Sequence, residues 1–221
     1  MAIGVASDHG LGQTKIQEDE SLVLFGFAIA GGLAHASMDQ SFKPQITNAE
    51  AQFMMSQGTA VLSPCGKYRY RLEREVGMEG KVFAYFGINP STADASLDDA
   101  TVRKWIGFTK VFGGRRLIVG NVFAFRATDV QMLVNDPLPL GSIENREHLL
   151  RIAADADVLV PCWGSRRKVP PYAQHHLDNV MGLLQRTGKP IMTFGRTKSG
   201  DPKHPLMLGY KTPLTFWEEE T

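Results

Sequence analysis

Four short apolar runs set the rhythm of the chain beyond residue 59. Lys81 to Ile88 (KVFAYFGI), Leu117 to Phe125 (LIVGNVFAF), Val158 to Cys162 (VLVPC) and Pro190 to Phe194 (PIMTF) are nearly continuous in apolar character, the pattern of strands buried on both faces. Between them, Asp98 to Phe112, Asn145 to Ala156 and Tyr172 to Gly188 carry apolar residues at helical spacing. In the first of these, Val102, Trp105, Ile106, Phe108 and Phe112 recur at that spacing, acidic residues stand where the helix dipole favours them, and Gly113-Gly114 ends the run. Thr59 to Leu62 and Tyr68 to Leu72 read as a hairpin around the turn Ser63-Pro64-Cys65-Gly66. This alternation predicts an α/β fold, a three-layer αβα sandwich with a mainly parallel central sheet, whose ligands bind beyond the carboxyl ends of the strands.

Residues 1–58 have a different texture and read as an N-terminal extension of unknown role, with 59–221 as the α/β domain. Ser21 to Ala36 is the most apolar stretch, but it is shorter than the roughly 20 residues that cross a bilayer, and Gln17-Glu18-Asp19-Glu20 precedes it where an export signal wants basic residues. A cytoplasmic protein without a membrane role is expected.

Composition narrows the function classes. With 24 basic and 23 acidic residues the net charge is +1, which argues against an indiscriminate electrostatic nucleic-acid binder while leaving local basic patches open. Cys65 and Cys162 are far apart, so neither a disulfide framework nor a structural metal cluster is expected, and no cofactor or metal is predicted. Metalloprotease, nucleophile-elbow, P-loop and dinucleotide-binding motifs are all missing from the sequence.

Candidate chemistry gathers where the predicted strands end: Asn89-Pro90-Ser91, Arg126-Ala127-Thr128-Asp129, Trp163-Gly164-Ser165-Arg166 and Arg196-Thr197-Lys198. Asn89 could hold a water or read a base edge, and equally Asn89 and Ser91 could be a turn former and a helix cap. Asp94, Asp98 and Asp99 form an acidic cluster able to activate a water or bind a cation, with Asp98 and Asp99 also placed to begin a helix. Asn121 sits in an apolar run, where an unsatisfied amide costs a few kcal/mol, so it must meet a ligand or a backbone partner. Arg126 is a clamp for an anion or the partner of an aspartate, and His204 can donate to developing negative charge or simply be solvated.

These same segments resemble a phage and bacterial family of unknown function, through SPCGKYRYRL, NPSTADASLDDATVRKWIGF, NVFAFRATD, WGSR and TKSGDPKHPL. More distantly, Gly87-Ile88-Asn89-Pro90-Ser91 looks like the G-x-N-P-G motif of the uracil-DNA glycosylase superfamily, Gly120 to Arg126 looks like its T-N-V-V-K-C-R-P-P motif, and His204-Pro205-Leu206 is similar to its H-P-S motif. Ser91 and Leu206 replace the motif Gly and Ser, and the cluster cysteines of some branches are absent. The resemblance implies a uracil-DNA glycosylase-like fold and hydrolysis of the N-glycosidic bond of a nucleobase, plain or modified, in DNA. It assigns water placement to Asn89, base reading to Asn121, and contact with the base carbonyl or a phosphate to His204; Asp94, a carboxylate that the motif lacks, is the other residue expected to hold the water. Pro90, Ser91, Arg126, Thr128, Trp163 and Lys198 complete the expected substrate-binding set, with DNA or a nucleotide as partner. The alternatives are a non-catalytic module that binds a nucleotide or modified base, in the setting of phage-host conflict, and a metal-dependent group transfer on the aspartate cluster.

Overall fold

The computed structural model describes residues 58–135 and 142–218; the expected N-terminal extension up to residue 57, with its apolar run, lies outside the described residues. Five strands form the main sheet: β1 (Gly58–Leu62), β2 (Arg69–Glu75), β3 (Lys81–Gly87), β4 (Gly114–Asn121) and β5 (Val158–Pro161), in the order β1-β2-β4-β3-β5. β3 runs parallel to β4 and to β5, whereas β1 with β2 and β2 with β4 are antiparallel. The sheet is therefore mixed, with a parallel centre and a hairpin on one edge.

The continuous apolar character of β3 follows from its period-2 side chains meeting two separate cores. Val82, Ala84 and Phe86 pack with Leu149 and Ile152 of α2 (Ile143–Asp155) and with Leu177, Val180 and Leu184 of α3 (His175–Gln185). Phe83 and Tyr85 belong to the other cluster, with Val102, Trp105 and Phe108 of α1 (Ala100–Val111). Asp99 starts α1 by accepting from the Val102 amide, and Ser142 does the same for α2 through Asn145. These three are the α-helices of the described residues, and none of them is long and apolar enough to cross a membrane.

Two elements are shorter than their apolar pattern predicts. β4 ends at Asn121: Val122 and Phe123 still donate to the carbonyls of Gly87 and Ile88, but beyond them the chain leaves β3, and Phe125 instead bridges Tyr68. The fourth predicted strand contracts to β6 (Met192–Thr193), which pairs antiparallel with β7 (Thr215–Phe216) and touches the main sheet through one parallel bridge from Ile191 to Leu159. Pro190 precedes it and has no N–H to give the ladder. Likewise the helix predicted from Tyr172 begins as a 3-10 turn over Pro171–Ala173 before α3 starts.

Asn145 locks the end of β4 in place. Buried in the first turn of α2, its Nδ2 donates to the carbonyls of Asn121 (3.1 Å) and Val122 (3.0 Å). Asn145→Ala leaves those two carbonyls without their donor, and the expected loss is about 2–3 kcal/mol in a denaturant titration. An unchanged midpoint and slope would contradict this account of the strand end.

Candidate functional site

The in-register parallel pairing aligns the carboxyl ends of the central strands. Gly87 lies opposite Asn121 and Phe86 opposite Pro161, and the ladders continue through Val122, Phe123 and Cys162. The loops beyond these ends must emerge on one edge. A cavity of about 180 Å³ opens there, lined by Asn89, Ser91, Asn121, Trp163 and His204 from the expected set, together with Arg69, Asp99, Trp105 and Lys168. A larger groove of about 370 Å³ lies elsewhere, between α2 and α3, and none of the expected site residues lines it.

Asn121 is the best defined member. It is 2% exposed, and its Oδ1 accepts from Arg69 Nη2 at 3.2 Å. A guanidinium can only donate, so this contact fixes which end of the amide faces the arginine. Nδ2 meets no acceptor among the described residues, and it lies against Gly87, where an added β-carbon would come within 2.9 Å of it. Glycine at 87 is thus what lets the amide stand at the cavity wall.

Arg69 itself is 2% exposed. Nη1 donates to the Ala93 carbonyl at 2.8 Å, Nε has no partner, and the side chain forms no ion pair with a described carboxylate. Burial pushes its pKa down to about 10, opposed by the charge of Asp99, so it remains a cation at neutral pH.

His204 is held from behind. Gly164, at a φ of +79°, packs against its β-carbon, and Gly164 donates to Pro202 while Asp201, 1% exposed, pairs with Arg166 at 2.8 Å. Its Nδ1 accepts from the Leu206 amide at 3.3 Å, so the neutral ring carries its proton on Nε2. Desolvation, reinforced by Lys168, lowers its pKa to about 4, and the ring is a neutral donor at pH 7.

Two carboxylates compare differently with their sequence positions. Asp94 does not line the cavity: its Oδ1 accepts from the amides of Ser96 and Leu97, and these bonds lower its pKa. Asp99 does line it. Its Oδ1 caps α1, leaving Oδ2 without a described donor, and its charge acts on both Arg69 and His204. Reading Asp99 only as a cap misses this second use, and an acidic residue at a helix start facing a strand end is the signal available.

The other expected residues hold the site together from outside. Asn89 lines the cavity while its Nδ2 donates to Ala127 (2.6 Å) and Pro90 (3.2 Å), which leaves Oδ1 as its accepting end. Arg126 donates to the carbonyls of Ser91, Thr92 and Gly66, tying two loops together. Pro90 is buried and does not line the cavity, while Thr128 and Lys198 are exposed and also lie outside it. Lys168 supplies the cavity's lysine instead. Arg69 escapes a reading of the sequence because arginine in a strand of alternating charged residues looks like a solvated charge. Cys162, fully buried with its thiol pKa pushed up to about 12, is no nucleophile at neutral pH. Among the described residues no three His, Cys, Asp or Glu side chains are grouped to hold a metal ion.

An α/β fold with a polar cavity at its parallel strand ends defines the general class. Residues 69–206 match the family described as "Protein of unknown function (DUF1643)", more than half of the chain, and the protein belongs to that family. No curated protein and no solved structure matches it.

The half-buried, neutral His204 has a pH signature. Because its folded pKa lies below the ordinary 6.5, the unfolded chain binds a proton that the native site refuses, and stability falls as pH drops from about 6.5 towards 4. His148 and His176 are shifted in the same direction by burial. His204→Gln is expected to flatten part of this slope in urea midpoints measured across that range; an unaltered slope would contradict burial of the neutral ring.

Proposed function

We propose that the protein is a DNA glycosylase-like hydrolase that cleaves the N-glycosidic bond of a nucleobase in DNA. One observation carries the reading: Asn89, Asn121, His204 and Asp99 converge on a single cavity at the parallel strand ends. At about 180 Å³ that cavity suits one planar ring better than a whole nucleotide, which implies a base turned out of its stack. The parallel order β4-β3-β5, extended by the bridge to Ile191, with helices against both faces, supports the three-layer, uracil-DNA glycosylase-like reading of the fold.

In this mechanism Asn121 Nδ2 donates to the edge of the base and His204 Nε2–H donates to its carbonyl. Water held by Asn89 Oδ1 attacks the sugar carbon. The C–N bond breaks, its electron pair leaves with the base, and the water proton passes to the free oxygen of Asp99. A neutral histidine is suited to this role, since its Nε2–H stabilises the departing negative charge by a hydrogen bond and is too weak an acid to give the proton up. Lys168, exposed at the cavity, with Lys198 and Lys203 on the segment leading to His204, would contact phosphates and make affinity fall with salt. Arg166 is not part of that surface, because Asp178 and Asp201 already hold it.

A binding module that reads a base without cleaving it is the second reading, favoured by the turn-capping role of Asp94 and by Ser91 and Leu206 at the motif positions. Oligonucleotides carrying uracil, hydroxymethyluracil and other modified bases separate the two. Abasic product revealed by alkaline strand scission is expected from at least one of them; a panel that yields none rejects hydrolysis. Within an active pair, Asp99→Asn keeps the helix cap and is expected to lower the single-turnover rate by about 10²–10⁴. A rate within twofold of the parent would remove Asp99 from the chemistry.

A further inference from the structure

A buried cation that touches no carboxylate is costly. Arg69 is such a group: Asp99 acts on it through its charge, but no described carboxylate pairs with it. It lines the cavity from β2, next to the edge of the sheet, and spends one nitrogen on a backbone carbonyl and one on Asn121. Its position relative to Asn121 decides the chemistry of that amide. A free asparagine can turn over and match either a donor or an acceptor; this one cannot, because turning it would face its NH2 group towards five N–H donors.

We propose that Arg69 is a specificity-determining residue: by pinning Asn121 Oδ1, it presents only N–H donors to the ligand and selects rings that offer a carbonyl or other acceptor at this position over rings that offer an amino group. The inference rests on the nucleobase reading of the cavity. Beside the amide, His204 presents Nε2–H and Lys168 an ammonium group, while the cavity's acceptors, Asn89 Oδ1 and the free oxygen of Asp99, are the ones assigned to the attacking water; the cation behind the amide strengthens its N–H dipoles towards an electron-rich edge. An amino-bearing ring would set donor against donor at Asn121 and leave both unpaired there, which is how binding sites reject such analogues.

Arg69 touches Asn121 and not the reacting bond, so it is a positioning residue, and its test is a preference rather than a rate. Binding of free uracil and free cytosine by calorimetry, and cleavage of oligonucleotides carrying each, give two independent readouts. The parent protein is expected to favour uracil over cytosine by about 10–100-fold in whichever readout it supports. Arg69→Lys keeps a donor-only partner and retains the preference. Arg69→Gln can accept as well as donate, frees the amide to turn, and brings the preference most of the way to unity. Asn121→Asp leaves one oxygen on Arg69 and aims the other into the cavity, so it shifts the preference towards cytosine and guards against a glutamine variant that does not fold.

The outcomes separate this inference from the hydrolase reading. Uracil-selective binding without cleavage sinks hydrolysis and keeps the role of Arg69. Equal cleavage of both bases sinks the role of Arg69 and keeps hydrolysis. A folded Arg69→Gln protein with undiminished preference overturns the inference, and so does a parent protein that binds and cleaves neither base.

Discussion

The contact between Arg69 and Asn121 is the constraint on which the site depends. It joins the antiparallel edge of the sheet to its parallel centre across 52 residues of sequence, and both side chains are almost wholly buried. The same guanidinium holds the Ala93 carbonyl, so it also fixes the loop after β3. One cation thereby sets the height of that loop, the orientation of the amide at the end of β4 and the polarity of the cavity between them. Around it the loops are stitched by further backbone acceptors: Arg126 on Ser91, Thr92 and Gly66, Arg74 on Asp94, and Asn89 on Ala127.

That arrangement explains how an irregular set of loops keeps a defined shape. Loop carbonyls in a partly dry site need donors, and arginine supplies several from one side chain. The parallel ladder delivers Gly87, Asn121 and Cys162 to one level, and the arginines then hold the loops beyond β3 and β4. On the far side, Asp201 and Arg166 do the equivalent for the segment that carries His204. Glycines at 87 and 164 provide the two close approaches that a side chain would block.

Much of this was legible in the amino-acid pattern. The apolar runs marked β3, β4 and β5, and helical spacing marked all three helices, because those segments meet cores on one or both faces. Asn89, Ser91, Asn121, Trp163 and His204 were visible as polar residues at strand ends or as motif matches, and they do share a cavity. What the pattern hid was long-range and polar. Arg69 lies in β2, where alternating charged residues read as solvent-facing, yet burial there is set by partners more than 20 residues away. Asp99 carries two roles at once, and its local role as a cap masked its place in the cavity. Asp94 stood beside the motif, but its own turn consumes one of its carboxylate oxygens. Arg126, read as an anion clamp or the partner of an aspartate, is committed to three backbone carbonyls.

The central claim is that the strand-end cavity receives a single base removed from its stack. A crystal structure of the protein with an oligonucleotide whose target nucleoside carries a 2′-fluoro group, which slows loss of the base, tests it most directly. The account predicts the base seated in the cavity, with an acceptor facing Asn121 Nδ2 and a carbonyl facing His204. A base left stacked in the strand, with the nucleic acid bound elsewhere on the protein, would contradict it.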